Sequence, residues 1–182
     1  GVDCPKKRDA GIRERNNCIN LFQTKNDIPD MKTSAFKLPQ IVESADTVCL
    51  ATTGTDGFPS VRAMLNLKNT SLYPHLAPLY ALEKNPLAIY LTTNASSAKM
   101  DEIRACPKAC LYYCDSGRFL GITLKGNVEV VEDAAFKAAA WGPGWEEYYP
   151  EGPQSDDFVM LRFTPAVVKS YSDLSVEAVE LA

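Results

Sequence analysis

The sequence has a single histidine, His75, and only six cysteines among its 182 residues. Zinc-dependent hydrolysis and Ser-His-Asp or Cys-His catalysis all require histidine, so each would depend on that one residue. The cysteines are too sparse for a disulfide scaffold, and Cys106, Cys110 and Cys114 are spaced by four residues rather than as a zinc-type pair. We therefore expect reduced thiols and no resident metal.

Three common cofactor and catalytic signatures are also missing: the dinucleotide motif G-x-G-x-x-G, the phosphate-binding P-loop and the G-x-S-x-G of serine hydrolases. No apolar run approaches the roughly 18 to 20 residues of a membrane helix. Positive charge is not in excess, because the net charge is -4 and the pI about 5.1. The sequence therefore predicts a cytoplasmic protein that binds neither nucleic acid nor membranes.

What the sequence does contain is the composition of one globular domain, with 46% hydrophobic and 23% charged residues. Residues 1–33 are polar and charged with little to bury, which predicts an N-terminal arm. Residues 34–172 carry the periodic patterns of a folded domain, and residues 173–182 are interpreted as a C-terminal tail.

Hydrophobic periodicity predicts short helices between strands that are joined mostly by turns. Helices are predicted at 35–45, 96–105 and 133–140, and strands at 47–53, 59–67, 87–93, 108–115, 119–131 and 158–171. The first two strands form a hairpin around the turn at 55–58. This pattern favours a mainly antiparallel, closed or half-closed β-barrel with flanking helices over a parallel sheet.

Two features predict an anion site. In the second strand, Val61, Ala63 and Leu65 are interpreted as the core face, which leaves Arg62 on the opposite face with a guanidinium suited to phosphate. The segment 91–99 ends a strand in hydroxyl residues just before a helix, whose free N–H groups and positive dipole end favour anions. Each feature alone also fits an ordinary surface arginine or helix cap; together they indicate a phosphate pocket.

At this point the sequence resembles a known family. The hairpin followed by Arg62-Ala63-Met64-Leu65, and then Thr93-Asn94-x-x-Ser97-x-Lys99, is similar to the flavin-binding segments of the pyridoxamine 5'-phosphate oxidase-like family, the FMN-binding split barrels. Segments 127–133 and 152–158, with Trp141 between them, resemble its general stress protein 26 branch. The resemblance covers roughly residues 36 to 172.

The resemblance implies a six-stranded antiparallel split barrel that forms a homodimer with FMN at the subunit interface. Arg62 and Lys99 would neutralise the FMN phosphate and Ser97 would donate to it. The ribityl chain and ring would be lined by Ala63, Met64, Leu65, Thr92 and Thr93. Trp141 would approach the ring from the partner subunit, although a core or interface aromatic is an equal interpretation.

The implied function is that of a flavin-dependent oxidoreductase acting on a small molecule, with a reduced nicotinamide as one candidate electron donor and no protein side chain required as a catalytic base. The tail 170–175 lacks the Arg- and His-bearing segment of true B6 oxidases, so B6 oxidation is not predicted. A non-catalytic protein that binds flavin, haem or deazaflavin, or a stress-related binding protein of the same fold, is one alternative. A protein with a decayed pocket is another.

Two further expectations concern individual segments. Residues 72–80 are interpreted either as a lid that presents His75 or a tyrosine to the flavin, or as a plain surface excursion. Cys110 and Cys114 share a strand face with Tyr112, and we expect this face to point into the core.

Overall fold

The computed structural model describes residues 38–181. The predicted N-terminal arm at 1–33 and the first residues of the predicted helix 35–45 lie outside this range. The helices are α1 Gln40–Ser44, α2 Ala77–Leu82, α3 Ala98–Ala105 and α4 Ala134–Ala140. The strands are β1 Thr47–Thr53, β2 Pro59–Leu65, β3 Ile89–Asn94, β4 Lys108–Asp115, β5 Leu120–Val131, β6 Phe158–Ser172 and β7 Ser175–Glu180.

All the strands belong to one antiparallel sheet in the order β2-β1-β4-β5-β6-β3, with β7 also paired to β6. The 15-residue β6 links β3 to the rest of the sheet, because it pairs with β5 along most of its length. Its first half, Phe158–Phe163, also pairs with β3, and its second half, 167–172, pairs with β7. The predicted mainly β fold with flanking helices is confirmed, but the sheet formed within residues 38–181 has seven strands instead of six.

The seventh strand, β7, comes from the segment that the sequence analysis interpreted as a tail. Its hairpin with β6 turns at Asp173 and Leu174, whose φ angles are 49° and 60°. A tight hairpin of this kind needs positive φ at both central residues, which normally selects Asn-Gly or a similar pair. Because Leu174 is an unusual residue in this conformation, the turn has no recognisable sequence signal.

Apolar side chains fill the barrel and, separately, cover part of its outer surface. The interior core includes Leu50, Leu91, Leu111 and Phe163, all fully buried. A second cluster packs α2, α4 and the segment 141–149 against the outer face of β3 and β6, and Phe158 is at its centre. No helix within residues 38–181 has the length and apolar character needed to cross a membrane.

The side chains of β2 face the opposite way from the prediction. Arg62 and Met64 point to the barrel interior, whereas Val61 is 65% exposed and Ala63 is exposed on the outside. The pattern was misleading because both faces of this strand carry apolar residues, and the half-buried Arg62 is paired with the carboxylate of Glu102 on another element.

The face of β4 was also predicted wrongly. Leu111 and Tyr113 are the buried residues, while Tyr112 and Cys114 are exposed and Cys110 is half-buried on the outer face. The four cysteines in the described part of the chain are free thiols.

Candidate functional site

A cleft opens where the two ends of the sheet, β2 and β3, approach each other without pairing in the strand order. We call it the β2–β3 cleft; its volume is about 300 Å³. It is lined by Thr47, Ala63, Met64, Leu65, Thr92, Thr93, Asn94, Lys99, Trp145, Tyr148 and Tyr149. Because β2 and β3 are edge strands here, side chains from both faces of each strand reach the cleft.

One end of the cleft is polar and is formed by the β3–α3 connection. The Lys99 Nζ donates to Thr93 Oγ1 at 2.8 Å, and the Thr93 and Ser97 hydroxyl oxygens lie 3.3 Å apart. Ser97 is the N-cap residue of α3, but its hydroxyl donates back to the Asn94 carbonyl at 2.7 Å and does not cap the helix. The first N–H groups of α3 thus remain available beside a lysine, which favours an anion.

Asp157, the residue immediately before β6, fixes this connection. Its carboxylate accepts from Asn94 Nδ2 at 2.6 Å and from the backbone N–H of Ser96 at 2.8 Å, and its carbonyl accepts from Ala95 N. These bonds hold the pKa of Asp157 below its usual value, with the Asn94 bond as the largest cause. The turn that carries Ser97 and Lys99 is therefore anchored to the sheet.

Arg62 lies behind this polar end and is already paired. Its Nη2 donates to Glu102 Oε2 at 2.7 Å, and its Nη1 donates to the Thr52 hydroxyl. Glu102, on α3, also accepts from Thr52 Oγ1 at 2.5 Å and from Ser60 Oγ at 2.8 Å. The network joins β1, β2 and α3, and Glu102 is buried.

The network lowers the pKa of its own member Glu102 and also affects the pKa of the neighbouring Lys99. Hydrogen bonds from Thr52, Ser60 and Arg62 lower the pKa of Glu102 from 4.5 to about 2, so it is a carboxylate at neutral pH. Burial, and then the charge of Arg62, lower the pKa of Lys99, whereas Glu102 raises it. The charges of both Arg62 and Glu102 therefore act on the Lys99 ammonium group.

The other end of the cleft is aromatic and comes from the segment 141–149. The Tyr149 hydroxyl lies 3.2 Å from Thr92 Oγ1, which fixes its ring at the cleft wall. Trp145 is buried beside it, while Tyr148 is 63% exposed at the rim. Phe158 packs behind both wall rings, with centroids 5.8 Å from Trp145 and 4.9 Å from Tyr149. A planar, apolar group would find a suitable wall here.

The structure brings most of the sequence-predicted site residues together. Six of them line the cleft: Ala63, Met64, Leu65, Thr92, Thr93 and Lys99. Ser97 and Arg62 do not line the cleft. The Ser97 hydroxyl contacts the hydroxyl of Thr93, and Arg62 forms an ion pair with Glu102. Trp141 does not line its own chain's cleft; it packs on Phe158 at 5.2 Å and on Trp145 at 6.1 Å.

Sequence reasoning missed Tyr148, Tyr149 and Glu102. The two tyrosines stand in an aromatic-rich segment that also contains Trp141 and Trp145, a density that could have drawn attention to them. Glu102 lies three residues after Lys99 on α3, so helical spacing places both on neighbouring positions of one helix face.

Residues 72–80 do not form a lid over the cleft. They include a short 3-10 helix, Pro74–Leu76, and the start of α2, and none of them lines the cleft. His75 packs edge-on against Trp145, with ring centroids 5.8 Å apart. Within residues 38–181, no group of three or more His, Cys, Asp or Glu side chains is arranged to hold a metal ion.

Comparisons with known proteins agree with this architecture. The sequence profile described as Pyridoxamine 5'-phosphate oxidase matches residues 37–172. A Clostridium acetobutylicum protein related to general stress protein 26 is 30% identical, with a TM-score of 0.64 over 78% of this chain and 90% of that chain. The chain belongs to the pyridoxamine 5'-phosphate oxidase family, in its branch related to general stress protein 26, which confirms the resemblance.

More distant structures share the fold. General stress protein 26 from Bacillus anthracis is 16% identical, with a TM-score of 0.56 over 77% of this chain and 94% of that chain. A heme-binding protein from Mycobacterium smegmatis is 17% identical, with a TM-score of 0.52 over 80% of this chain and 60% of that chain. No curated protein matches the sequence.

The ionised Glu102 predicts an acid-sensitive contribution to stability. Because folding lowers its pKa from 4.5 to about 2, this contribution is present above pH 4.5 and is lost as the pH falls toward 2. We expect the group to account for a loss of about 2 kcal/mol in unfolding free energy between pH 5 and pH 3. Chemical denaturation of the wild type and Glu102→Gln across this range checks it. Parallel pH profiles for the two proteins would contradict the prediction.

Proposed function

We propose that this protein binds FMN in the β2–β3 cleft and uses it as a flavin-dependent oxidoreductase on a small molecule. The observation that carries the proposal is the polarity of the cleft, with a lysine and a helix N-terminus at one end and an aromatic wall at the other. Its volume of about 300 Å³ falls within the range of cofactor sites.

The polar end suits the phosphate of FMN. Lys99 supplies the charge, the hydroxyls of Thr93 and Ser97 supply donors, and the uncapped start of α3 adds backbone N–H groups. Asp157 holds this group of donors in place through Asn94 and Ser96. We assign Arg62 to the same end, behind the lysine.

The remaining predicted residues suit the ribityl chain and the ring. Ala63, Met64 and Leu65 offer an edge strand with small and apolar side chains, and Thr92 offers a hydroxyl. We assign Trp141 to the partner subunit's site, since it does not line the cleft of its own chain.

The chemistry would come from the flavin, which when bound supplies hydride or electron transfer. The residues that line the cleft include no carboxylate, histidine or cysteine. The protein's part is therefore to bind, orient and exclude water. The last 13 residues, 170–182, contain no Arg, Lys or His, so they offer no cation for pyridoxal phosphate, and we do not assign B6 oxidation.

The absence of carboxylate, histidine and cysteine side chains from this lining also favours a second candidate, a flavin carrier without turnover. The two functions differ in whether an electron donor reduces the bound cofactor. Under anaerobic conditions, bleaching of the bound flavin by NADH or NADPH supports the oxidoreductase. Persistent yellow colour under both donors, and after photoreduction in the presence of a panel of electron acceptors, supports the carrier.

We further propose a homodimer assembled through the outer face of β1, β2 and β4. This face is apolar and exposes Val61, Ala63 and Tyr112. They adjoin the half-buried Cys49, Ala51 and Cys110 in the strand registers. Ala63 belongs both to this face and to the cleft lining. A partner seated here would border the cleft, which fits a cofactor shared between subunits.

Removing the charge of Lys99 should weaken FMN binding. We expect Lys99→Ala to raise the Kd for FMN by about 10-fold to 100-fold through the loss of a charge-assisted hydrogen bond. Fluorescence titration of the apoprotein measures this change. Lys84→Ala is the matched control, because it removes the same charge from an exposed residue outside the cleft. Equal affinity in the two variants would refute the site assignment.

A charge placed on the outer face should disrupt assembly. We expect Val61→Asp to convert the dimer to a monomer, because an unpaired carboxylate would be buried in the interface. Light scattering coupled to gel filtration measures the mass across dilution. Leu82→Asp is the control, since Leu82 is 81% exposed on α2, away from this face. A wild-type protein that is monomeric with flavin bound would overturn the dimer proposal.

A further inference from the structure

We infer that Glu102 is a specificity-determining residue that neutralises Arg62 and so limits how strongly the cleft prefers a phosphorylated flavin. This inference rests on the proposed function, because it concerns the phosphate end of the same site. It follows from the position of the ion pair, its burial and the charge that remains at the cleft.

The geometry of Arg62 shows where its charge is directed. Its Nη2 donates to Glu102 Oε2 at 2.7 Å and its Nη1 donates to Thr52, and the residue is not part of the cleft lining. Arg62 points inward from β2, which is one wall of the cleft. A ligand phosphate at Lys99 must therefore compete with Glu102 for this guanidinium.

Glu102 is a strong competitor because it is preorganised. It accepts hydrogen bonds from Thr52 at 2.5 Å and Ser60 at 2.8 Å in addition to the bond from Arg62, and its side chain is only 11% exposed. A buried carboxylate with three donors has little to gain by leaving them. Arg62 therefore stays with its internal partner when the cleft is empty of anions.

The charge left for a ligand is consequently small. Among the residues that line the cleft, Lys99 is the one cation, and the nearby Arg62 and Glu102 sum to zero. Thr93 and Ser97 add hydroxyl donors but no charge. Without Glu102, two positive groups would face a phosphate that is largely dianionic at neutral pH.

The experiment compares FMN with riboflavin, which differ only in the phosphate. Each Kd is measured by fluorescence titration of the full-length apoprotein at low salt and at about 0.15 M salt. Glu102→Gln should tighten FMN binding by about tenfold and leave riboflavin binding within about twofold of the wild type. The gain should be larger at low salt.

Asp101→Asn is the matched control. It makes the same charge change one residue earlier on α3, but the Asp101 side chain is 75% exposed and pairs with Arg104 on the surface. Because this site is solvated, the preference for FMN over riboflavin should stay at its wild-type value.

A double variant covers the case in which Glu102→Gln destabilises the fold by leaving Arg62 unpaired. Arg62→Gln with Glu102→Gln removes both charges and leaves their sum unchanged, so the FMN preference should match the wild type within about threefold. Arg62→Gln alone should lower that preference, since it leaves the Glu102 carboxylate uncompensated.

The outcomes separate the inference from the proposed function. A wild-type protein that binds neither flavin contradicts the proposed function. A wild type that binds flavin, with a Glu102→Gln variant whose preference for FMN is unchanged or reduced, overturns the inference alone. A double variant with a strongly reduced FMN preference also overturns it, because Arg62 would then be a direct phosphate ligand.

Discussion

The cleft exists because the sheet curls into a barrel while its two ends, β2 and β3, stay apart in the strand order. Strand β6 sets the position of β3 in the sheet, because it pairs with β5 along one side and with β3 over the first half of its other side. At Gly126 the β5–β6 register shifts, and a Cβ atom there would lie only 2.1 Å from the Thr164 carbonyl oxygen. The shift leaves Ala166 of β6 as an extra residue opposite β5, and a bulge of this kind bends the strand that contains it.

The polar end of the cleft combines an anchored turn with a small net charge. Asp157 ties the start of α3 to β6, so Ser97 and Lys99 are held by the sheet rather than by a free loop. The Arg62 and Glu102 pair sits behind them and contributes almost no net charge. In the proposed FMN site, an anion would be bound mainly through directed donors, with Coulomb attraction from one lysine.

Much of this arrangement could be predicted from the sequence. Strand β4 spans the predicted residues 108–115, and six predicted site residues line one cleft. The strand prediction comes from local patterns, namely period-two alternation and turn residues, whereas most of the predicted site residues are those that the family resemblance implies. The family resemblance then supplied the order in which these segments meet.

The parts that could not be predicted depend on contacts between distant residues. The inward orientation of Arg62 is possible only because Glu102, 40 residues later, accepts its charge. Strand β7 follows a turn at Asp173 and Leu174 that lacks the residues such turns usually contain. Tyr149 reaches the cleft through its contact with Thr92, which is 57 residues away. No local sequence pattern predicts these long-range contacts.

The most direct test is the visible absorption spectrum of the purified protein after incubation with FMN and removal of free ligand, followed by identification of the molecule that heat releases. The account predicts a stoichiometric flavin spectrum and release of FMN rather than FAD. A colourless protein, or a haem spectrum in place of a flavin spectrum, would contradict the assignment of the β2–β3 cleft as an FMN site.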